Sequence, residues 1–236
     1  MRRGFEARRI RLVVFDVVGT TVHDGGAETS VVADAYLAVF GEAGIAIRPE
    51  DVSRFRGLDK REAVARLLAL RGGASGADTD LLTERLLARI GEALGRAPEI
   101  DGASDVFAFL HERGLSVALA SGLPDALVQG VADRLGWPAR GLVDYVTSAE
   151  AAGGGRPGPA MVLDAMRHFR IEDPAAVLKV GDTVADIEEG RNAGVWTVAV
   201  LTGTQGRDAL AAAEPDFVLE SVAALPSLLV PPSGPV

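Results

Sequence analysis

Four stretches of the chain place charged or hydroxyl side chains where apolar runs end. Asp16 follows Leu12-Val13-Val14-Phe15 and precedes Gly19-Thr20-Thr21; Ser121-Gly122 follows the run 117–120. Gly181-Asp182-Thr183, with Asp186 one turn on, follows the run 178–180, and a glycine-rich loop over 152–158 carries Arg156 and Pro157. An apolar run that stops at a polar residue and a glycine predicts a buried strand entering a turn, and open α/β sheets bind ligands at that end of their strands. Asp16 and Asp182 offer hard oxygen ligands for magnesium, which prefers few protein carboxylates, several waters and a phosphate oxygen. The Ser121 hydroxyl, the Gly122 amide and the Arg156 guanidinium can hold the remaining phosphoryl oxygens. With the charge balanced in this way, a carboxylate oxygen of Asp16 can attack phosphorus. Taken singly, each stretch has an ordinary explanation. Asp182 with Asp186 also fits a helix N-cap with a first-turn acid, Ser121-Gly122 a turn, and Arg156 a surface cation. Together, each at a predicted strand end, they favour a metal-bridged phosphoryl site.

The elements that must position these groups follow from periodicity. From Asp101 onward helices and strands alternate: helices over 104–113, 125–135, 159–169, 186–193, 207–213 and 221–229, strands over 116–120, 143–147, 176–180, 196–201 and 216–219. That alternation predicts an α/β fold with a doubly wound parallel sheet. Residues 23–98 contain no convincing strand. Apolar residues recur at helical spacing within 31–40, 59–70 and 80–94, with Pro49 and Glu50 restarting the chain and a linker over 72–76. This block is expected to be a helical insertion between the first strand and the rest, giving a core of 1–22 and 99–236. The tail, 231–236, is expected to fray. Trp196, Phe107 and Phe109 read as core, and His111 and His168 as surface residues late in their helices. His23 stands where the insertion begins and could turn into the site.

Composition narrows the function. Over 236 residues, 48% are apolar, enough for a large core; a net charge of -9 and a pI near 4.9 argue against nucleic acid or a membrane surface as partner. There is no cysteine, so disulfides, thiolate nucleophiles and Cys-ligated zinc are excluded. The first residues lack a signal-peptide core, and no run reaches membrane-span length, so a cytoplasmic protein is expected. Of the 24 basic residues only Lys60 and Lys179 are lysines. In a chain that writes arginine for a generic cation, a lysine is informative.

The motifs F-D-V-V-G-T-T at 15–21, L-A-S-G at 119–122, G-R-P at 155–157 and V-G-D-T-V-A-D at 180–186 resemble those of the haloacid dehalogenase (HAD) superfamily over nearly the whole chain. The resemblance implies a Rossmann-like core with an inserted α-helical cap. Within the superfamily, Lys179 to Val198, Arg156 where most relatives have lysine, and G-L-D-K at 57–60 are similar to the phosphonoacetaldehyde hydrolase family. It implies that Asp16 is nucleophile and Mg2+ ligand, with the Val18 carbonyl and Asp182 as further ligands and Asp186 supporting the metal or its waters. It also implies that Ser121 and Arg156 bind the phosphoryl group and that Lys60 forms a Schiff base with a substrate aldehyde.

Position 18 separates two chemistries. Most phosphatases of the superfamily carry a second aspartate there to protonate an alkoxide; valine cannot, and losing a general acid forfeits roughly 10²- to 10⁴-fold in rate. A carbon leaving group instead needs an electron sink, which a lysine imine supplies. The leading expectation is therefore carbon-phosphorus bond hydrolysis of phosphonoacetaldehyde or a related phosphonate through an aspartyl-phosphate. A phosphatase acting on a small phosphate monoester is the alternative, and a non-catalytic phosphometabolite-binding protein a lower one. Arg61, Glu62 and Ala63 after Lys60, and Leu123 after Gly122, depart from the Asp-His pair and tyrosine of the phosphonatase pattern. The apolar helices of the insertion could also supply a homodimer face.

Overall fold

The computed structural model describes residues 4–25, 30–72 and 78–230. Strands β1 (Leu12–Phe15), β2 (Ser116–Ser121), β3 (Tyr145–Ser148), β4 (Val177–Gly181), β5 (Trp196–Val200) and β6 (Phe217–Leu219) form one parallel sheet in the order β3-β2-β1-β4-β5-β6. β1 is central: Phe15 is in register with Leu119 on one side and Val180 on the other. Every residue of β1, β4 and β5 is buried, as expected of parallel strands covered on both faces. The strand order reverses between β1 and β4, so a crevice opens beyond their carboxyl ends, where Asp16 and Asp182 follow.

Between β1 and β2 run α1 (Val31–Glu42), α2 (Pro49–Ser53), α3 (Lys60–Leu70), α4 (Thr79–Leu94) and α5 (Ala103–Glu112). Later come α6 (Asp125–Arg134), α7 (Ala149–Ala152), α8 (Ala160–His168), α9 (Val184–Ala193), α10 (Arg207–Ala212) and α11 (Leu225–Leu229). Strand alternation divides β1 between two cores. Leu12 and Val14 pack with Met161, Val162 and Ala165 of α8; Val13 and Phe15 face the opposite side, where Phe15 meets Phe107 edge-on at 5.2 Å. Helices α1 and α3 each pack on α4, and Val39, Phe40, Leu67, Leu86 and Ile90 are fully buried among them. Each starts at a side-chain cap. Ser30 Oγ accepts from the Ala33 amide at 3.0 Å, Asp59 Oδ1 from Glu62 at 3.1 Å, and Asp78 Oδ1 from Asp80 at 2.8 Å.

Several local readings change. Residues 49–53 form a helical turn, α2, because Pro49 occupies its first turn and Asp51 Oδ2 accepts from the Arg48 amide at 3.0 Å. The strand expected over 143–147 begins at Tyr145, since the Asp144 carboxylate takes the Val117 amide at 2.8 Å before the ladder starts. The helix expected over 221–229 divides into a 3-10 turn, Val222–Ala224, and α11, whose first turn holds Pro226. Just before the glycine-rich loop, Ala149–Ala152 wind into α7, capped by Ser148 and ended by Gly153. Phe109 is only half-buried under the Arg113 guanidinium, and His111 is half-buried with Nε2 2.8 Å from Asp144 Oδ2. The expected linker, from residue 73 on, and the tail 231–236 lie outside the described residues. No helix among the described residues is long and apolar enough to cross a membrane.

Candidate active site

The turn after β1 is built around Asp16. Thr21 Oγ1 donates to the Asp16 carbonyl at 3.1 Å, and Thr20 Oγ1 donates to Asp182 Oδ1 at 2.9 Å, tying the first motif to the end of β4. Gly19 has φ +92°, and a Cβ there would lie 2.5 Å from Asp182 Oδ2. Only glycine permits both that backbone and that approach. After β4, the helix cap is Thr183 rather than Asp182: Thr183 Oγ1 accepts from the Asp186 amide at 3.2 Å, while Asp186 Oδ2 accepts from Thr183 in return. Asp182 is thereby left free to face Asp16.

Asp16, Asp182 and Asp186, all buried, present carboxylate oxygens within 4.8 Å of one another. Burial raises the pKa of Asp16, against the pull of Arg156. Burial and the nearby Asp16 and Asp186 charges push Asp182 well above the usual carboxylate range. Burial also acts against the charged form of Asp186, but Arg156, Lys179 and the Thr183 hydroxyl together hold it low. Asp182 Oδ2 is buried without a hydrogen-bond partner. Close acidic oxygens, one of them orphaned, fit a hard divalent cation, which would remove both the repulsion and the unmet acceptor.

Arg156 is the hub of this floor. Its side chain is 1% exposed, with Nη1 2.8 Å from Asp16 Oδ1, Nη2 3.1 Å from Asp186 Oδ1 and Nε 2.9 Å from Glu189 Oε2. Nη2 also donates to the Ala120 carbonyl at the end of β2, 2.7 Å away. Lys179, on β4 and fully buried, completes the layer beneath: Nζ lies 3.0 Å from Asp186 Oδ1 and 3.2 Å from Glu189 Oε2. Glu189 belongs to α9, which approaches β4 closely because Gly190 follows it; a Cβ at 190 would stand 3.0 Å from Lys179 Cβ. Sequence reasoning missed Glu189. Lys179 had a signal, being one of two lysines and set in an apolar strand.

Across the crevice, the loop before α3 lies against the motif loops through main chain. A Cβ at Gly122 would be 2.6 Å from the Leu58 carbonyl, and one at Gly155 would be 3.4 Å from Asp59 Cβ. Lys60, the first residue of α3 after its Asp59 cap, is 8% exposed, and its Nζ donates to the Leu58 carbonyl at 3.2 Å. Burial, then the neighbouring Arg56 charge, lower its pKa to about 8, against the opposing pull of Asp16. A cavity of about 30 Å³ remains between floor and loop, lined by Asp16, Val18, Lys60, Ser121, Gly122 and Arg156, with Val32, Arg56, Gly57, Leu123 and Thr183. All eight residues singled out in the sequence therefore lie in this cavity or, for Asp182 and Asp186, beside Asp16 beneath it. His23 does not join them; it lines a separate cleft.

Such a site can hold a doubly charged group on cations and amides, set a carboxylate against it, and present an amine from the opposite wall. Known proteins resemble this chain in sequence and in fold. A phosphonoacetaldehyde hydrolase of Bordetella pertussis is 32% identical, the alignment covering 94% of this chain and 91% of that protein. One from Bacillus cereus is 30% identical, with 83% and 77% covered. Among solved structures, a phosphonoacetaldehyde hydrolase like protein from Oleispira antarctica matches with a TM-score of 0.80 at 22% identity, over 97% of this chain and 94% of that one. A predicted phosphoglycolate phosphatase from Haemophilus somnus matches with a TM-score of 0.78 at 17% identity, over 94% and 99%. At those identities the structures speak for the fold alone. The family model for haloacid dehalogenase-like hydrolases matches residues 10–194, and the chain belongs to that family of hydrolases.

Proposed function

We propose that this hydrolase cleaves the carbon-phosphorus bond of phosphonoacetaldehyde or a related short 2-oxo phosphonate, with Asp16 as nucleophile and Lys60 as imine-forming amine. The observation that carries this reading is the placement of Lys60 and Asp16 on opposite walls of one small cavity that has valine, not an acid, at position 18. The names of the 30–32% identical relatives support it. In this reading residues 23–98 are a cap over a core of 1–22 and 99–236, and closing the cap excludes water from the imine.

The atoms balance as follows. The neutral Lys60 amine adds to the aldehyde carbon and water leaves, giving a protonated imine. An oxygen of Asp16 attacks phosphorus while the carbon-phosphorus electron pair moves into the imine, leaving an enamine on Lys60 and the phosphoryl group on Asp16. Protonation of the enamine carbon and hydrolysis return the amine and release acetaldehyde; a second water releases phosphate from Asp16. Ser121, the Gly122 amide and Arg156 hold the phosphoryl oxygens throughout. Magnesium, held by Asp16, Asp182 and the Val18 carbonyl with Asp186 behind, would neutralise charge on the transferring group.

Borohydride with phosphonoacetaldehyde tests the amine directly: a reduced two-carbon adduct on Lys60, found by peptide mass, is expected. Absence of both adduct and phosphate release from the magnesium-loaded protein would overturn the reading. Under the alternative, a phosphate monoesterase, Lys60→Arg keeps aryl phosphate hydrolysis and phosphonoacetaldehyde is never a substrate.

A further inference from the structure

Arg56 is a buried cation to which the proposed chemistry assigns no contact with substrate. Its guanidinium gives Nη1 to Ser30 Oγ at 2.9 Å and Nη2 to Asp24 Oδ2. Asp24 is itself filled by this contact, by the Ser30 hydroxyl at 2.7 Å and by the Val32 amide on its other oxygen at 3.1 Å. An arginine carries five N–H donors in a planar fork. Three of Arg56's therefore have no protein acceptor among the described residues. The same side chain lines the reaction cavity beside Lys60 and is the one described residue shared with a second cleft of about 740 Å³. Asp24 and Ser30 thus hold the guanidinium by one edge, between the carbon end of the reaction cavity and open space beyond.

Asp24 answers the Arg56 charge along one edge only, and the unspent donors on the open side, next to an amine, favour an anionic ligand there. The phosphoryl group already has Arg156, Ser121 and Gly122 at the far end. A planar fork with unspent donors matches a carboxylate by paired hydrogen bonds. We propose that Arg56 binds a carboxylate on the carbon side of the substrate. The preferred substrate class is then a 3-phosphono-2-oxo acid, whose carboxylate sits on the carbonyl carbon that Lys60 attacks. This assignment rests on the carbon-phosphorus reading above, and the balanced reaction gives a 2-oxo acid and phosphate from one water. The extra atoms project toward the larger cleft rather than into the crowded floor.

Binding tests Arg56 without relying on the imine. Two ligands with the same three-carbon chain and no carbonyl, 3-phosphonopropanoate and propylphosphonate, differ only in a terminal carboxylate or methyl. Calorimetry on the magnesium-loaded full chain should show at least tenfold tighter binding of the carboxylate ligand, and Arg56→Met should bring the ratio within about twofold. Because that change strands Asp24, the paired Asp24→Asn/Arg56→Met variant is measured beside it, with folding checked by circular dichroism. Equal affinities in the unmodified protein overturn the proposal. So does a preference that survives loss of Arg56, or a variant that weakens both ligands equally, which would place Arg56 on the phosphoryl group. Phosphate release from the oxo acid should match or exceed that from phosphonoacetaldehyde in kcat/KM; slower release by tenfold overturns the substrate class. Borohydride trapping on Lys60 is scored separately. A preserved ligand ratio without any adduct would remove the oxo phosphonate through the parent reading and not through Arg56.

Discussion

The floor of the cavity and the loop above it are built on opposite plans. On the floor, the ends of β1, β2 and β4 meet the loop after α7 and almost every charge is spent on another: Arg156 alone meets three carboxylates and two carbonyls, and Lys179 and Glu189 brace it from below. In the loop 56–60, Arg56 and Lys60 are fixed at one edge or one atom and otherwise face the cavity. A saturated layer fixes geometry, whereas an unsaturated one leaves donors for a ligand. On the proposed reaction, chemistry at phosphorus belongs to the floor and recognition at carbon to the loop.

The sharpest way to break that division is at Asp16. Asp16→Asn is expected to lower kcat by about 10⁴-fold or more on any substrate, as loss of a nucleophile does, with no phosphoenzyme detectable by mass. Lys60→Arg should divide the substrates instead, costing about 10³-fold on phosphonoacetaldehyde and far less on an aryl phosphate. Retained aldehyde turnover would remove the loop from the chemistry. Asp182→Asn should weaken magnesium binding by about 100-fold, read by titrating activity or stability with the ion, and chelator should abolish phosphate release reversibly. The brace under Arg156 calls for a double-mutant cycle. Lysine at 156 cannot serve five acceptors at once, so Glu189→Gln should cost much less in an Arg156→Lys background, with a coupling of about 1–3 kcal/mol in kcat/KM. Additive losses would mean that Glu189 supports the fold only.

The smallest effect is in pH. Lys60 must be neutral to add to a carbonyl, so trapping by borohydride should rise with pH and level off above about 8. Arg56 is one of the causes lowering that value, so Arg56→Met should move the limb to higher pH. An unmoved limb would leave burial, with the Arg156 charge, as the explanation.

How much of this was legible beforehand follows the same division. Asp16, Ser121 and Asp182 could be read because each ends an apolar run, a one-dimensional signal that survives without coordinates. Glu189 could not, because a helical acid three residues after Asp186 reads as solvated surface; only the close packing at Gly190 buries it against Lys179. Arg56 and Asp24 lie 32 positions apart, and no periodicity links them. Thr183 displaced Asp182 as the cap because capping turns on which side chain faces the helix start, not on which residue type is the stronger capper. The short helices α2 and α7, of 5 and 4 residues, are shorter than any window in which periodicity can be counted.

Gly122 and Leu58 meet with no room for even a methyl group, so the roof of the chamber is bare polypeptide where it touches the floor. Any side chain added at that seam would wedge the chamber ajar and admit solvent. Descendants of this chain could therefore change diet by exchanging side-chain walls outside the proposed reaction, such as Val18, Val32, Leu123 and Arg56, while the seam itself stays glycine.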